Sequence, residues 1–223
     1  MSKVTQVKIC GITNLQDALL ATRCGAAAVG FIFYPPSPRH IKPVDAKQII
    51  GSLPDKLVKV GVFVNETPQE IKRVMEYCSL DMIQLHGDET PEYCHQFPAA
   101  ITIKAVEVKN NNDVKHALGY KVAAILIDSR HAGLFGGTGK KSNWKLACRI
   151  KDKKPLILSG GLNADNIAEA LKSVAPAALD INSGVEASPG KKDHKKLTQI
   201  FEIIRASDTT PENSILIFKK REP

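Results

Sequence analysis

Short apolar runs alternate with amphipathic segments along the chain, and this alternation constrains the fold more than any other feature. Eight runs recur at intervals of roughly 20 to 30 residues and predict strands over 7–10, 28–33, 59–64, 82–85, 102–106, 124–128, 156–159 and 178–181. Amphipathic patterns between them predict helices, including 14–23, 44–52, 67–77 and 164–174. Strands that alternate with helices indicate βαβ units and a parallel sheet of the α/β class. We predict a single (β/α)8 TIM barrel, with a doubly wound open sheet as the alternative.

The C-terminal end departs from this repeat. A last helical pattern lies near 195–205, and no linker or change in composition divides the chain before Arg205. Residues 207–213 are loop-like, and 215–218 form a lone apolar run before a basic end. We therefore predict one catalytic domain over 1–205 and a tail over 206–223, which is loop-like or docked on the exterior of the barrel.

Composition excludes several classes of protein. The chain has 223 residues, of which 43% are hydrophobic and 24% charged, enough for one domain with a substantial core. No apolar run is long enough to span a bilayer, and the N-terminus lacks the apolar core of a signal peptide. We expect a cytoplasmic protein with no membrane partner.

The net charge of +8 raises the question of nucleic acid binding. Much of the excess lies in lysine-rich runs at 151–154, 191–196 and 219–221, with no interleaved aromatic residues for stacking on bases. We interpret these runs as solvated surface and expect no nucleic acid partner.

The cysteines and histidines give no support for a metal site or a disulfide framework. The five cysteines include no C-x-x-C pair, and the six histidines include no H-E-x-x-H motif.

Reactive side chains follow several of the predicted strands. Cys10 ends the first strand, Asp128 ends the sixth, and Arg39 lies in the proline-rich loop after the second. Because parallel α/β enzymes hold their active sites at the carboxyl ends of strands, these residues are candidates for chemistry. A thiolate is a base, a carboxyl at an apolar rim is an acid, and an arginine binds a carboxylate with two hydrogen bonds. Each has an ordinary alternative: a small buried hydrophobe for Cys10, a cap or a partner of Arg130 for Asp128, and a surface charge for Arg39.

Glycine-rich turns follow the seventh and eighth strands. The turns are Ser159-Gly160-Gly161 and Asn182-Ser183-Gly184, where small residues let backbone N–H groups approach an anion. Two such turns on adjacent strands predict a phosphate site, the recurrent arrangement of phosphate-binding barrels.

Two further motifs add to the predicted rim. Gln84-Leu85-His86-Gly87 ends the fourth strand and contributes polar side chains. Gly136-Gly137-Thr138-Gly139, after the sixth strand, predicts a lid.

Over nearly the whole of 7–205 the chain resembles the phosphoribosylanthranilate isomerase family of tryptophan biosynthesis. Eight motifs carry the resemblance in register: Lys8-Ile9-Cys10-Gly11-Ile12-Thr13, Gly30-Phe31-Ile32-Phe33, Ser37-Pro38-Arg39, Gly61-Val62-Phe63-Val64-Asn65, Gln84-Leu85-His86-Gly87, Gly136-Gly137-Thr138-Gly139, Ser159-Gly160-Gly161-Leu162 and Ser183-Gly184-Val185-Glu186. The resemblance implies an Amadori rearrangement of N-(5-phosphoribosyl)anthranilate without metal or organic cofactor, because the nitrogen of the substrate is the electron sink.

The resemblance also implies roles for individual residues. Cys10 matches the general base, Asp128 the general acid and Arg39 the group that holds the anthranilate carboxylate. The remaining expected substrate-binding residues are Gln84 and His86 on the rim and Gly160, Gly161, Asn182, Ser183 and Gly184 around the phosphate. The chain departs from the family at Ser142-Asn143 before Trp144, where an aromatic residue and an acid are common, and at Asn182, where serine is common.

Other enzymes and other classes remain as alternatives. A sugar-phosphate epimerase or a Schiff-base aldolase would also bind phosphate, and an aldolase would use Lys104 or Lys8. A basic nucleic-acid-binding module would rest on the net charge alone. For the isomerase we expect a small phosphorylated substrate as the partner and a monomer or a homodimer as the working form.

Overall fold

The computed structural model describes residues 5–128, 144–207 and 215–220. Eight parallel strands form a closed barrel in chain order: β1 Gln6–Ile9, β2 Ala28–Ile32, β3 Val58–Phe63, β4 Met82–Leu85, β5 Thr102–Val106, β6 Ala124–Ile127, β7 Leu156–Leu158 and β8 Ala178–Ile181. Closure comes from β1 pairing with β8, with Gln6 opposite Ala178 and Ile9 opposite Ile181. The predicted TIM barrel is confirmed, and this pairing excludes the open sheet.

In the described part of the chain, eight helices surround the barrel: α1 Leu15–Cys24, α2 Pro43–Gly51, α3 Pro68–Cys78, α4 Pro91–Cys94, α5 Asn111–Gly119, α6 Trp144–Lys151, α7 Ile167–Val174 and α8 His194–Ser207. A short antiparallel hairpin, β9 Glu186–Ser188 and β10 Lys191–Lys192, lies between β8 and α8. None of the described helices is long and apolar enough to cross a membrane.

The residues at the start of α3, Thr67 and Glu70, form half of a capping box. The Thr67 hydroxyl accepts a hydrogen bond from the Glu70 backbone at 3.3 Å, as expected of an N-cap. The Glu70 carboxylate pairs with Arg73 instead of accepting from the Thr67 backbone N–H, because the arginine lies one turn along the same face of the helix. A complete box forms at α5, between Asn110 and Asp113.

Strand residues alternate between two apolar clusters. Outward-facing residues such as Ile9, Val29 and Ile83 pack beneath the helices. Inward-facing residues near the amino ends of the strands fill the barrel with a second cluster: Ala28, Val58, Val60, Met82, Ile103, Ala105, Ala124, Leu126, Ile157 and Ala178. Further along the strands the inward positions become polar. This change divides the interior into an apolar amino end and a polar carboxyl end.

The described part of the tail, 215–220, packs against the amino end of the barrel. Ile217 and Phe218 are buried and belong to the inner apolar cluster. The Gln6 side chain holds them: its Oε1 accepts from the backbones of Ile217 at 2.7 Å and Phe218 at 2.9 Å, and its Nε2 donates to the Phe218 carbonyl. The tail thus closes the end of the barrel opposite the predicted chemistry.

Candidate active site

A cavity opens at the carboxyl end of the barrel. Six of the ten site residues predicted from the sequence line it: Cys10, Arg39, Gln84, His86, Asp128 and Asn182. The lining also includes Ser159, at the end of β7, and Asp180, on β8. Closing the sheet on itself brings these residues together, because the carboxyl ends of all eight strands surround one opening.

Cys10 is anchored directly after β1. Its backbone N–H donates to the Ile181 carbonyl at 2.9 Å, which continues the β1–β8 ladder by one residue. The thiol is buried beside Lys8, whose ammonium forms a 2.8 Å ion pair with Asp180. Burial raises the pKa of the Cys10 thiol, Lys8 acts in the opposite direction, and Asp180 reinforces the burial.

Lys8 keeps its proton in this environment. Burial alone would lower the pKa of Lys8, but the Asp180 carboxylate and Cys10 outweigh it and hold the pKa above its usual value. A fixed positive charge therefore lies next to the thiol, which is the arrangement that activates cysteines.

Gly30, in the middle of β2, makes room for this pair. A Cβ at Gly30 would lie 2.8 Å from the Cys10 Sγ and 3.1 Å from the Lys8 Nζ. A glycine inside a strand commonly marks such a close approach, so Gly30 is a sequence signal from which this contact could have been inferred. Any side chain here would push the thiol and the ammonium out of place.

Asp128, at the end of β6, is linked to the Gln84-His86 pair on β4. The His86 Nε2 lies 3.2 Å from the Asp128 Oδ2, and the Gln84 Nε2 lies 2.7 Å from the His86 Nδ1. All three residues are buried. The predicted acid is thus the end of a hydrogen-bonded chain of side chains.

Arg39 is held by a residue that sequence analysis did not assign to the site. Its guanidinium binds Glu186 with two hydrogen bonds, from Nε at 2.9 Å and from Nη2 at 2.7 Å. Lys192, on β10, also binds this carboxylate at 3.1 Å and donates to the Asn182 Oδ1 at 2.9 Å. Burial would raise the pKa of Glu186, but the two cations outweigh it and lower the pKa.

Lys192 corrects the interpretation of 191–196 as solvated surface. Its side chain is fully buried, whereas its neighbours Lys191, Lys195 and Lys196 are exposed. The antiparallel β9–β10 hairpin turns this single lysine inward, and a run of lysines in a sequence does not reveal which of them a hairpin will bury.

The glycine turns adjoin the cavity through Ser159 and Asn182, which line it. Gly160 and Gly161 have φ angles of +90° and +65°, a conformation that favours glycine. A Cβ at Gly184 would lie 1.9 Å from the Leu162 carbonyl oxygen, so the turns after β7 and β8 touch. Gly160, Gly161, Ser183 and Gly184 flank the cavity without lining it, and their phosphate role stays a prediction.

The two lysines that an aldolase could use, Lys104 and Lys8, form buried ion pairs with carboxylates. The Lys104 ammonium binds Glu89 at 2.7 Å and the Gly87 carbonyl at 2.9 Å, where it ties β5 to the loop that follows β4. Lys8 is paired with Asp180. Neither arrangement is typical of a Schiff-base lysine, which must lose its proton to react.

Some predictions fall on residues that the structure does not describe. The lid at 136–139, the pairing of Asp128 with Arg130 and the departure at Ser142-Asn143 lie outside the described ranges. Within those ranges, no cluster of histidine, cysteine, aspartate or glutamate could hold a metal ion.

Known proteins resemble this chain over most of its length. The family model of N-(5'-phosphoribosyl)anthranilate (PRA) isomerase matches residues 7–203. The isomerase of Syntrophus aciditrophicus is 48% identical over 202 residues, which cover 91% of this chain and 88% of that protein. The crystal structure of the Thermotoga maritima isomerase superposes with a TM-score of 0.85 at 46% identity, covering 91% and 99% of the two chains. An isomerase in complex with reduced 1-(o-carboxyphenylamino)-1-deoxyribulose 5-phosphate superposes with a TM-score of 0.81 at 44% identity, covering 91% and 99%. The chain belongs to the phosphoribosylanthranilate isomerase family.

Proposed function

We propose that Cys10 and Asp128 divide the proton transfers of the reaction that this family performs, the isomerisation of N-(5-phosphoribosyl)anthranilate in tryptophan biosynthesis. One observation carries the proposal: a buried thiol after β1 and a buried carboxyl after β6 line the same cavity, on strands that β7 and β8 separate. That placement suits an acid and a base that act on different atoms of one substrate.

The reaction proceeds in three steps in this proposal. Asp128 gives its proton to the ribose ring oxygen, the C1–O bond breaks, and the nitrogen lone pair forms an iminium with C1. The Cys10 thiolate then removes the proton from C2, the C–H electrons form C1=C2, and the iminium pair returns to nitrogen. The enolamine tautomerises to the ketone, losing the hydroxyl proton and gaining one at C1. Exchange with water returns Asp128 and Cys10 to their starting states.

The Lys8 ammonium is the group that supports the thiolate. Because burial raises the pKa of Cys10, the free enzyme holds the thiol mainly protonated, and the neighbouring positive charge limits this effect. Asp180 keeps Lys8 charged and in place at 2.8 Å. The three residues therefore act together as the base.

Arg39 is the proposed anchor of the anthranilate carboxylate. Its Nε and Nη2 are occupied by Glu186, which fixes the plane of the guanidinium at the edge of the cavity. The Nη1 hydrogens are then presented to a second carboxylate. The turns at 159–161 and 182–184 are the proposed phosphate cradle, which fits the phosphorylated ligand of the related complex.

No metal or organic cofactor is required, because the substrate supplies its own electron sink. We propose a monomer or a homodimer as the working form, and a related isomerase from Thermotoga maritima is described as dimeric. We also propose a cytoplasmic location, where a reducing environment keeps the Cys10 thiol free.

Complementation of a tryptophan auxotroph that lacks this isomerase step tests the proposal, together with rates measured on the purified chain. We expect Cys10→Ser and Asp128→Asn each to lower kcat by roughly 10²- to 10⁴-fold, the range for a general acid or base, while substrate still binds. Cys24→Ser and Asp152→Asn are matched controls away from the cavity and should keep full activity. Near-normal turnover by Cys10→Ala would show that another group removes the C2 proton.

A further inference from the structure

The hydrogen bonds that link Gln84, His86 and Asp128 determine which ring nitrogen of His86 carries a proton. An imidazole nitrogen can donate or accept, but an amide nitrogen only donates. The Gln84 Nε2 lies 2.7 Å from the His86 Nδ1, so the Nδ1 must be the acceptor and carry no proton. The neutral ring then carries its hydrogen on Nε2, which faces the Asp128 Oδ2 at 3.2 Å.

The burial of Gln84 supports this orientation of its amide. Gln84 is 0% exposed, and among the described residues its Oε1 has no hydrogen-bond partner. In this orientation one amide hydrogen is paired with His86 and the oxygen is the unpaired atom, whereas the reverse orientation would place both hydrogens where the oxygen now finds no donor. Unpaired buried donors are the rarer defect in proteins, so the orientation with Nε2 towards His86 is favoured.

We propose that Gln84 is a positioning residue that locks His86 in the neutral Nε2–H tautomer and thereby excludes an imidazolium from contact with the acid Asp128. Gln84 acts through His86, whose Nε2–H donates to the Oδ2 of Asp128. The acid proton is therefore carried on Oδ1.

This tautomer lock matters because the other protonation states of His86 would leave Asp128 without the proton that it donates. A ring with a bare Nε2 would accept the proton of Asp128, which would leave an imidazolium beside a carboxylate. An imidazolium favours the charged form of a neighbouring carboxyl group. A second proton on the ring would have to sit on Nδ1, where it would face the amide hydrogen of Gln84 across 2.7 Å. Gln84 thus blocks the site at which His86 could gain a charge.

This inference rests on the proposed role of Asp128 and changes the role of Gln84. The sequence predicted that Gln84 binds substrate, whereas a tautomer lock acts on catalysis. The two roles separate in kinetics: loss of a substrate contact raises KM, and loss of the lock lowers kcat.

Nitrogen-15 NMR of the full-length wild-type protein with labelled histidine tests the lock with Gln84 in place. At neutral pH and without substrate, we expect His86 to show a protonated Nε2 and an unprotonated Nδ1, assigned by the loss of its signals in His86→Gln. A protonated Nδ1 in the wild type overturns the proposal. This readout does not depend on turnover, so it is distinct from a failure of the isomerase assignment, which would appear as an inactive wild type.

Substitutions of Gln84 then test the consequence. Gln84→Glu keeps the shape of the side chain, but the new carboxylate accepts from Nδ1–H and draws a second proton onto His86. We expect kcat to fall on the order of 100-fold with KM within about threefold of wild type, and the NMR signals of an imidazolium. Gln84→Met keeps the length without the donor and should lose about tenfold in kcat. It also provides the measurement if the buried carboxylate of Gln84→Glu prevents folding.

The matched control is Gln48→Glu, the same change at an exposed position on α2. It should match the wild type in kcat, KM and the His86 signals. If Gln84→Glu and Gln84→Met keep kcat within about twofold of wild type, or raise KM alone, Gln84 is not a tautomer lock.

Discussion

The two ends of the barrel interior are built from the same strands but differ in the polarity of their inward-facing side chains. At the amino end the inward positions are apolar, and Ile217 and Phe218 from the tail complete the cluster. At the carboxyl end the inward positions include Lys8, Gln84 and Asp180, all buried. The apolar end gains free energy by removing surface from water, about 25 cal/mol per Å². The polar end requires charges to be desolvated, and ion pairs rarely repay that cost in full.

The comparison teaches that the polar end is maintained for chemistry and is supported by the rest of the fold. Lys8 is paired there with Asp180, and Glu186 is paired with both Arg39 and Lys192. Such pairs fix the position of charged groups rather than add stability. Substitutions at the two ends should therefore separate stability from activity.

The largest effect on stability is expected at the carboxyl end, from Lys8→Met. It leaves the buried Asp180 carboxylate without its 2.8 Å partner, and breaking one side of such a pair costs about 3–5 kcal/mol. The double variant Lys8→Met/Asp180→Leu should recover most of that stability and none of the activity. Urea unfolding and kcat measured on both variants check this. A double variant as unstable as the single one would mean that the ion pair contributes net stability, contrary to the comparison.

A substitution at the amino end should lower stability and leave turnover unchanged. Phe218→Ala removes a buried ring from the inner cluster, and such changes cost about 3–5 kcal/mol in a core. We expect the lower end of that range, because the tail can detach as a unit and so limits the loss. Turnover should stay near wild type, as it should after truncation beyond Ser207, since the tail lies opposite the cavity. A folded but inactive truncation would show that the tail influences the active site, and Ile215→Ala, at an exposed position, is the control.

The fold was predictable because parallel strands are buried on both faces and stand out as apolar runs. β4 over Met82–Leu85, β5 over Thr102–Val106 and β8 over Ala178–Ile181 have the predicted bounds. The start of α7 was less predictable: the structure begins it at Ile167, three residues after the predicted start, because residues before it form a turn in which Asn166 donates to the Gly161 carbonyl.

Parts of the site could not be predicted from spacing. Cys10, Arg39 and Asp128 are visible because each follows an apolar strand closely. Glu186 and Lys192 lie in a hairpin after β8, where nothing in the sequence shows which side chain turns inward. The contact between Gln84, His86 and Asp128 joins β4 to the end of β6, with β5 between them, and strand order alone does not show that these side chains meet.

Arg39 should affect substrate binding more than stability. Arg39→Ala leaves Glu186 paired with Lys192, so the fold should persist. Loss of a charge-assisted hydrogen bond should weaken binding by about 1.5–3 kcal/mol, seen as a higher KM. Arg39→Lys should recover only part of this, because an ammonium cannot bind a carboxylate with two parallel N–H groups. Equal activity in all three proteins would exclude Arg39 from the site.

The smallest expected effect is a pH shift in the reactivity of Cys10. Burial disfavours the thiolate and raises the pKa of Cys10, so at a given pH the free enzyme holds less thiolate than a free cysteine does. Alkylation of Cys10 by iodoacetamide should therefore rise with pH at higher values than alkylation of N-acetylcysteine, with Cys10→Ser identifying the signal. The stability of the fold should fall as the pH rises over this range. Because the folded state holds the Cys10 proton more tightly than the unfolded chain, this contribution is present below the ordinary thiol pKa and is lost as the pH rises through the folded value. If alkylation instead reaches its maximum at a lower pH than for the free thiol, the Lys8 charge outweighs burial, and the polar end activates its base before any substrate arrives.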